Sequence, residues 1–312
     1  MARQAGAWIS GRPPVMSLEY HALEDRTSAI GVNVPTTFLY ASMHHYWWTG
    51  QLHFGNTLDL SIDDPGFIYG ATVFTTLRIY HQNPQHPLTA LEAHLKRLEI
   101  QVDTLGWEAP SWEQVNLAVQ ALAPNYPVLR ITLLPDGREL VTGRALPPDL
   151  EQKQQKGVVL LAVEGGRSWP QLKTGNYLVS FQAFRKAEAQ GAQEAILMQE
   201  GTWLETSRGN LWAWDGIQYL TPPEEGCLAG IFRQQLLSTL AHLEIPHAVV
   251  PFTPERRRSF QAVGYGNSVV ELLPARGIMG AEVLGSSEAW KELRDLTPMH
   301  RLLRYFHQTP GL

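Results

Sequence analysis

The chain has 312 residues, of which 44% are hydrophobic and 18% are charged. This composition supplies enough apolar surface for a buried core and excludes intrinsic disorder as the main description. A formal net charge of −5 argues against a protein that binds the phosphate backbone of nucleic acids. The single cysteine, Cys227, excludes an intramolecular disulfide framework and a metal site built from several cysteines. At about 150 residues per domain, the length suggests two domains.

Residues 1–45 are predicted to be an N-terminal extension. They mix basic and acidic residues and contain no apolar run of the length of an export signal. Three interpretations stay open: a poorly ordered segment, a gene start placed too early, or an arm that packs on a partner subunit. The longest apolar runs, such as residues 158–163, are far shorter than the roughly 20 residues of a membrane span. We therefore expect a soluble, cytoplasmic protein that does not enter a membrane.

The first predicted domain covers residues 46–144 and combines strands with helices. Its hydrophobic periodicity and turn residues predict each element. In chain order, we expect a hairpin at 46–54, a strand at 71–80, a helix at 88–105, a helix that begins at Ser111, and a strand at 128–134.

Residues 145–156 (ALPPDLEQKQQK) are rich in proline and then in charged residues, which is typical of a linker. The second predicted domain covers residues 157–312. Strands and helices alternate there without the regular order of a doubly wound sheet, so the pattern predicts two α+β domains. The predicted strands are 157–163, 195–198, 203–205, 210–214, 217–220, 247–250 and 268–273, and the predicted helices are 174–190, 230–243 and 254–261.

Familiar catalytic patterns are absent from the sequence. There is no phosphate-binding P-loop, no glycine-rich dinucleotide fingerprint, no serine-hydrolase elbow and no zinc-protease motif. Among the few lysines, Lys173 stands at a predicted junction between a loop and a helix, among apolar neighbours. A lysine in such a place can lose its proton and act as an amine nucleophile, although an ordinary surface lysine fits the same position.

Six short motifs occur in one order along the chain. They are residues 69–74 (YGATVF), 94–98 (HLKRL), 172–177 (LKTGNY), 205–211 (ETSRGNL), 228–233 (LAGIFR) and 267–274 (NSVVELLP). Together they resemble the class IV aminotransferase family, the fold type IV pyridoxal phosphate enzymes, which includes branched-chain and D-amino-acid aminotransferases and 4-amino-4-deoxychorismate lyase. The resemblance implies a two-domain α+β fold with a smaller N-terminal domain and a larger barrel-like C-terminal domain.

The resemblance implies that pyridoxal 5'-phosphate is the cofactor and assigns three residues to it. Lys173 matches the lysine that binds the cofactor aldehyde and moves protons at the substrate carbon. Glu205 matches the carboxylate that pairs with the pyridine nitrogen, and Arg97 matches a phosphate-binding arginine. The alternatives are a solvated glutamate at a strand end and an exposed helix arginine.

A phosphate site is implied around Gly230, Ile231 and Phe232, where a predicted helix begins. Free backbone N–H groups and the helix dipole attract an anion at such a terminus. Many relatives carry threonine where Phe232 stands, so one hydroxyl ligand is missing while the backbone donors remain. Ser268 matches a further phosphate hydroxyl, although a plain strand serine fits equally well.

Three more residues have less specific matches. Tyr177 approximates the tyrosine near the cofactor's phenolic oxygen, and core packing is its alternative. Asn210 is expected to fix the turn after Glu205 more than to touch a ligand. Tyr69 is predicted to line the substrate pocket from a strand edge, or to be a core aromatic.

Two patterns favour the lyase, which forms 4-aminobenzoate and pyruvate for folate biosynthesis. The Phe-Thr-Thr run that ends at Thr76 resembles the lyases, and so does Asn267 before Ser268. Arg130 is the candidate contact for a substrate carboxylate, with a salt-bridged strand arginine as its alternative. We therefore predict the lyase, with an aminotransferase of branched-chain or D-amino acids that uses 2-oxoglutarate as the alternative. A non-catalytic binding protein with the same fold is a further alternative.

The predicted substrate is a small, amino-acid-like molecule, and no metal ion is expected. The resemblance also implies a homodimer with each pocket near the subunit boundary.

Overall fold

The computed structural model describes residues 44–280 and 290–310, and the predicted extension therefore lies outside the described residues except for its last two positions. Residues 43–312 belong to one compact unit. Its described part contains two β-sheets with helices packed against them. None of the described helices is long and apolar enough to cross a membrane.

The first sheet is antiparallel, with the strand order β2-β1-β5-β4-β3. A four-residue helix, α1 (Pro65–Ile68), precedes β3. Two longer helices, α2 (Leu91–Leu105) and α3 (Trp112–Leu122), follow β3 and contribute to the same hydrophobic core as the sheet. The strands are β1 (His45–Trp48), β2 (Gln51–Phe54), β3 (Val73–Arg78), β4 (Val128–Leu133) and β5 (Glu139–Arg144).

Alternation along the strands gives this sheet two different faces. Leu77, Ile131 and Val141 belong to the core shared with α2 and α3. The intervening residues point to the opposite face, because successive side chains of a strand alternate. The register places Thr76 opposite Arg130, and Arg130 opposite Thr142, so this second face is polar.

The second sheet is mixed, with the order β11-β10-β9-β12-β13-β6-β7-β8 and with β14 paired to β13. Its parallel pairs are β6 with β7, β6 with β13, and β10 with β11. The strands are β6 (Val158–Glu164), β7 (Glu194–Gln199), β8 (Thr202–Thr206), β9 (Asn210–Trp214), β10 (Tyr219–Thr221), β11 (His247–Val249), β12 (Ala262–Asn267), β13 (Glu271–Met279) and β14 (Trp290–Glu292).

Five helices accompany the second sheet. Ala183 and Ala187 pack one of them against β6 and β7. Two others share a core through the edge-to-face contact of Phe232 with Phe306. The helices are α4 (Leu150–Lys156), α5 (Leu178–Ala189), α6 (Ile231–His242), α7 (Pro254–Arg257) and α8 (Thr297–Gln308).

Most predicted elements agree with the structure, with bounds that differ by a few residues. Five elements outside the predicted linker were not predicted: helices α1 and α8 and strands β5, β12 and β14. The strand predicted at 268–273 begins later, at Glu271, because residues 268–270 form the turn between β12 and β13. The last part of the predicted linker is helix α4, whose Leu150 is buried in the core of the second sheet. The predicted domain boundaries stay predictions.

Candidate functional site

A cavity of about 620 Å³ is lined by both sheets. The first sheet contributes its polar face, and the second contributes strand ends, the turn before β13 and the start of α6. Twelve of the thirteen residues predicted for the site line this cavity, and Tyr69 does not. The twelve are Thr76, Arg97, Arg130, Lys173, Tyr177, Glu205, Asn210, Gly230, Ile231, Phe232, Asn267 and Ser268. The ring of Phe232 also packs in the core against Phe306.

Lys173 is positioned by backbone contacts with β3 and α2. Its carbonyl accepts a hydrogen bond from the Phe74 N–H (2.9 Å), and its N–H donates to Oε1 of Gln101 (2.5 Å). Gln101 in turn donates from Nε2 to the carbonyl of Arg97 (3.1 Å). These contacts fix the backbone of Lys173 in the loop that precedes α5, and Lys173 lines the cavity.

The environment of the Lys173 amine favours its neutral form. Burial disfavours the ammonium charge, the nearby cations Arg97 and Arg167 repel it, and together they lower the pKa of Lys173 to about 7. Nζ lies 4.7 Å from the centre of the Phe74 ring and 5.9 Å from that of Tyr177. A neutral amine between two aromatic rings is a competent nucleophile near neutral pH.

Glu205 is buried at the end of β8 and is held by two donors. Nε of Arg167 lies 2.6 Å from Oε1, and the Leu228 N–H donates to Oε2 (3.2 Å). Burial raises the pKa of Glu205, and the charge and hydrogen bond of Arg167 oppose that shift. Arg167 also donates to the carbonyls of Leu172 and Pro170, so it ties Glu205 to the loop before Lys173.

Arg97 lies on α2 and lines the cavity, and its guanidinium keeps an N–H group without an acceptor in the described part of the chain. Its Nη2 donates to Oγ1 of Thr75 (2.6 Å), and that hydroxyl lies 2.5 Å from Nδ1 of His94. Burial and the neighbouring cations keep the pKa of His94 well below its usual value, so this ring is neutral and shares a hydrogen bond with the Thr75 hydroxyl. The Nε–H of Arg97 is buried and has no acceptor among the described residues. An anion in the cavity would supply one.

Helix α6 begins at the cavity with Gly230 as its N-cap. The first N–H groups of a helix have no acceptor within the helix, so this end presents free donors. A Cβ on residue 230 would overlap the amide oxygen of Asn210, which explains the glycine. Asn210 itself donates from Nδ2 to the carbonyl of Leu228 (2.7 Å). This contact braces the loop that leads into α6, whereas the expected role was to fix the turn after Glu205.

The turn before β13 presents Ser268 to the cavity. The side-chain oxygen of Asn267 accepts from the N–H groups of Val269 (2.9 Å) and Val270 (3.1 Å), and its Nδ2 donates to the carbonyl of Arg208 (3.0 Å). The Asn267 amide is therefore occupied in shaping the turn. Ser268 and the start of α6 line the same cavity.

Tyr177 lies beside Lys173 at the start of α5. Its hydroxyl donates to the carbonyl of Ser207 (2.7 Å), and its ring meets that of Phe74 edge to face. Burial raises the pKa of Tyr177 to about 12, so the hydroxyl keeps its proton at neutral pH.

The polar face of the first sheet forms another wall of the cavity. The guanidinium carbon of Arg130 lies 3.5 Å from the centre of the Phe74 ring, and its Nε donates to Oγ1 of Thr132 (3.2 Å). No carboxylate lies within ion-pairing distance of Arg130 among the described residues. Thr76 stands directly opposite it on β3. The alternative interpretation, a salt-bridged Arg130, therefore finds no carboxylate partner among the described residues.

Tyr69 is the predicted residue that the structure does not bring to the cavity. It follows the short helix α1, not a strand, and its side chain is 75% exposed. The sequence analysis also missed Arg167, because an arginine in a loop gives no signal of its own. Only the folded chain brings Arg167 into contact with Glu205, and that contact indicates its role.

Comparisons with known proteins agree with this geometry. The sequence profile of the amino-transferase class IV family matches residues 72–278. D-alanine aminotransferase from Bacillus licheniformis is 24% identical over 259 residues, which cover 77% of this chain and 89% of that protein. The branched-chain amino acid aminotransferase from Escherichia coli has a similar structure, with a TM-score of 0.71 at 18% identity, over 86% of this chain and 94% of that one.

A hypothetical aminotransferase from Mycobacterium tuberculosis in its pyridoxal phosphate-bound form is equally similar. Its TM-score is 0.72 at 18% identity, over 84% of this chain and 97% of that one. The fold is that of the fold type IV enzymes: a small antiparallel sheet domain followed by a larger, curled mixed sheet. The chain belongs to the class IV aminotransferase family, which uses pyridoxal 5'-phosphate.

The cavity fits this cofactor. The unpaired Nε–H of Arg97 and the free N–H groups at the start of α6 suit a phosphate group. The Lys173 amine suits an aldehyde, and the Glu205 carboxyl group, which lies against Arg167, suits a protonated ring nitrogen. The named relatives are aminotransferases, so the comparisons favour the aminotransferase alternative over the predicted lyase.

Proposed function

We propose that this protein is an aminotransferase that moves an amino group from an amino acid to a 2-oxo acid. The observation that carries the proposal is the Lys173 amine, whose pKa of about 7 accompanies its place in one cavity with Glu205 and the start of α6. When bound, pyridoxal phosphate supplies an aldehyde for the amino group and a ring that takes up electrons from the substrate carbon.

The residues of the chain divide the remaining tasks. Lys173 would take the proton from the carbon of the amino donor and, in the reverse half-reaction, would give a proton to the carbon of the oxo-acid acceptor, because a pKa near 7 allows both transfers at neutral pH. Glu205 holds a proton at the ring nitrogen, and Arg167 holds the Glu205 carboxylate in place. Arg97, the backbone of residues 230–232 and the Ser268 hydroxyl bind the phosphate.

Substrate binding falls to the polar face of the first sheet. Arg130 is free of protein carboxylates in the described residues and faces the cavity, so it binds a substrate carboxylate. Thr76, opposite it, offers a hydroxyl beside that carboxylate. Tyr177 keeps its proton and borders the space around Lys173.

A second candidate is 4-amino-4-deoxychorismate lyase, supported by one feature of the cavity. Thr76, part of the lyase-like Phe-Thr-Thr run, lines the cavity next to Arg130. The same lysine, glutamate and phosphate site would serve this reaction, in which pyruvate leaves without an amino acceptor.

A homodimer is part of the proposal, and an exposed apolar surface supports it. Phe67 and Tyr69 are 70% and 75% exposed, and Leu178 is 65% exposed. The segments that carry them are joined by the hydrogen bond from the Gly175 N–H to the Thr72 carbonyl (2.7 Å). Exposed apolar patches of this kind mark protein contacts. Light scattering on the purified protein should give twice the mass of the chain.

One assay separates the two reactions. The holoenzyme is incubated with amino donors and 2-oxoglutarate, and separately with 4-amino-4-deoxychorismate without any acceptor. We expect amino transfer that depends on the acceptor, and its loss in Lys173→Ala but not in Lys186→Ala, since Lys186 lies outside the cavity. Pyruvate release without an acceptor would instead establish the lyase. A protein that shows no visible cofactor band and neither reaction would contradict both.

A further inference from the structure

Arg144, which no motif singled out, lies on the same face of the first sheet as Arg130. On β5, Thr142 is opposite Arg130, and Arg144 is two residues further along. Residues two apart on a strand share a face, so the two arginines are diagonal neighbours on adjacent strands, a separation of about 7–8 Å between side-chain origins. Both line the cavity.

Most charged side chains around the cavity are already paired. Arg167 pairs with Glu205, Arg208 with Glu194, and Lys153 with Asp149. Glu188, the other carboxylate of the lining, pairs with Arg185. Four cations of the lining have no carboxylate partner in the described residues: Arg97, Arg130, Lys173 and Arg144.

The proposed cofactor accounts for two of these cations, Arg97 at the phosphate and Lys173 at the aldehyde. Arg130 and Arg144 remain, and each lacks a counter-ion. Burial lowers the pKa of Arg130 to about 10, and burial together with the neighbouring Arg208 lowers that of Arg144. Two partly desolvated cations on one wall repel each other, and two anionic groups of a ligand would relieve that repulsion.

We propose that Arg144 determines substrate specificity by binding the second carboxylate of a dicarboxylic substrate whose first carboxylate is bound by Arg130. The inference rests on the proposed function, which assigns Arg130 to a substrate carboxylate. A guanidinium is suited to this task, because its planar donors match the two oxygens of a carboxylate. A monocarboxylic amino acid would leave Arg144 without a partner.

The position of Arg144 suits a selective role. It is more exposed than Arg130 and stands at the end of β5, whereas Arg130 is stacked on Phe74. Thr142, between them in the row, offers a hydroxyl to the same ligand. Loss of Arg144 should therefore affect the second carboxylate while Arg130 and the lysine site stay in place.

Equilibrium binding tests the inference without any reaction. Glutarate has two carboxylates and pentanoate has one on a chain of the same length, and neither carries an amine or a carbonyl. Calorimetry on the holoenzyme should show glutarate binding at least tenfold more tightly than pentanoate. In Arg144→Gln, glutarate should lose about tenfold to hundredfold in affinity while pentanoate changes by less than about twofold. Arg144→Lys should keep part of the preference for glutarate over pentanoate, because the positive charge remains.

Kinetics supply a second readout and the control. The KM for 2-oxoglutarate should rise in Arg144→Gln with little change in kcat, whereas Arg185→Gln, an exposed charge loss on α5, should change neither. The inference would be overturned if the wild type bound glutarate and pentanoate with equal affinity. It would also be overturned if Arg144→Gln left the ratio of the two affinities unchanged. Amino transfer could persist in that case, so the proposed function would stand. Failure of amino transfer with normal glutarate selectivity would remove the proposed function alone.

Discussion

The guanidinium of Arg167 and the carboxylate of Glu205 form a buried ion pair, with 2.6 Å between Nε and Oε1. The arginine side chain is 8% exposed and the glutamate side chain 6%. Arg167 also donates to two carbonyls of the loop that leads to Lys173. One side chain therefore couples the carboxylate at the end of β8 to the position of the lysine loop.

Arg167→Leu should destabilise the protein by about 3–5 kcal/mol, because it leaves the Glu205 carboxylate buried and unpaired. The free energy of unfolding in urea measures the loss. Arg185→Leu breaks the exposed pair with Glu188 and should cost less than about 1 kcal/mol. Similar losses in the two variants would contradict a special role for the buried pair.

The Lys173 amine should react with an acylating reagent in the cofactor-free protein with a half-maximal rate near pH 7. The neutral amine is the nucleophile, and burial together with Arg97 and Arg167 lowers the pKa to about 7. Reactivity should fall as the pH drops below this value, because the amine is then protonated. Mass spectrometry of the peptide that contains residue 173 follows the rate. A midpoint near the ordinary lysine pKa of about 10.4 would show that the amine is not desolvated.

Gly230→Ala should weaken binding of pyridoxal phosphate by at least tenfold. The added Cβ would overlap the Asn210 amide oxygen, so the start of α6 must move. Its free N–H groups would then no longer point at the phosphate. A titration of the cofactor-free protein, followed by absorbance, measures the affinity. Ser238→Ala changes an exposed position on the same helix and should leave the affinity unchanged. An unaltered affinity in Gly230→Ala would argue against a phosphate at this helix end.

Phe232→Thr, which introduces the residue common among relatives, should destabilise the protein by about 3–5 kcal/mol. The Phe232 ring is buried against Phe306, with 4.9 Å between ring centres, and a threonine there would leave a cavity in the core. Thermal unfolding measures the change. A variant as stable as the wild type, with tighter cofactor binding, would mean that the residue 232 side chain points to the phosphate instead.

Glu271 should make stability depend on acid pH. Burial raises its pKa, but hydrogen bonds from His307 and Tyr80 and the charge of Arg78 outweigh that effect, so the pKa is lowered. A carboxylate with a lowered pKa stabilises the folded state above its unfolded pKa, and this stabilisation is lost as the pH falls through the folded value. Between about pH 5 and pH 3, the wild type should lose more stability than Glu271→Gln. Parallel pH profiles would contradict this.

Local sequence patterns were sufficient to predict most of the longer helices and most of the residues that line the cavity. Leucines at helical spacing predicted α2, and the motif around Lys173 predicted a lysine at a loop-to-helix junction. The same patterns failed for β12, whose Gly264 and Gly266 are poor strand formers. Both positions need glycine because a Cβ at 264 would lie 2.9 Å from the Leu273 carbonyl oxygen, and one at 266 would lie 2.5 Å from the Phe232 ring.

The cytoplasmic location, the domain boundaries and the nature of residues 1–45 stay predictions. What the sequence by itself determined is the set of motifs, whose order indicates the family, and the reactive residues within them: Lys173, Glu205 and Arg97, for which we propose a phosphate contact. Only the tertiary structure decided which residues meet: Arg167 pairs with Glu205, and Arg130 lies on the same sheet face as Arg144. It also decided burial, since the Phe232 ring lies in the core and the Tyr69 side chain is exposed. The physical reason is that pKa shifts, ion pairs and burial depend on distances between residues far apart in the chain, which no local pattern records.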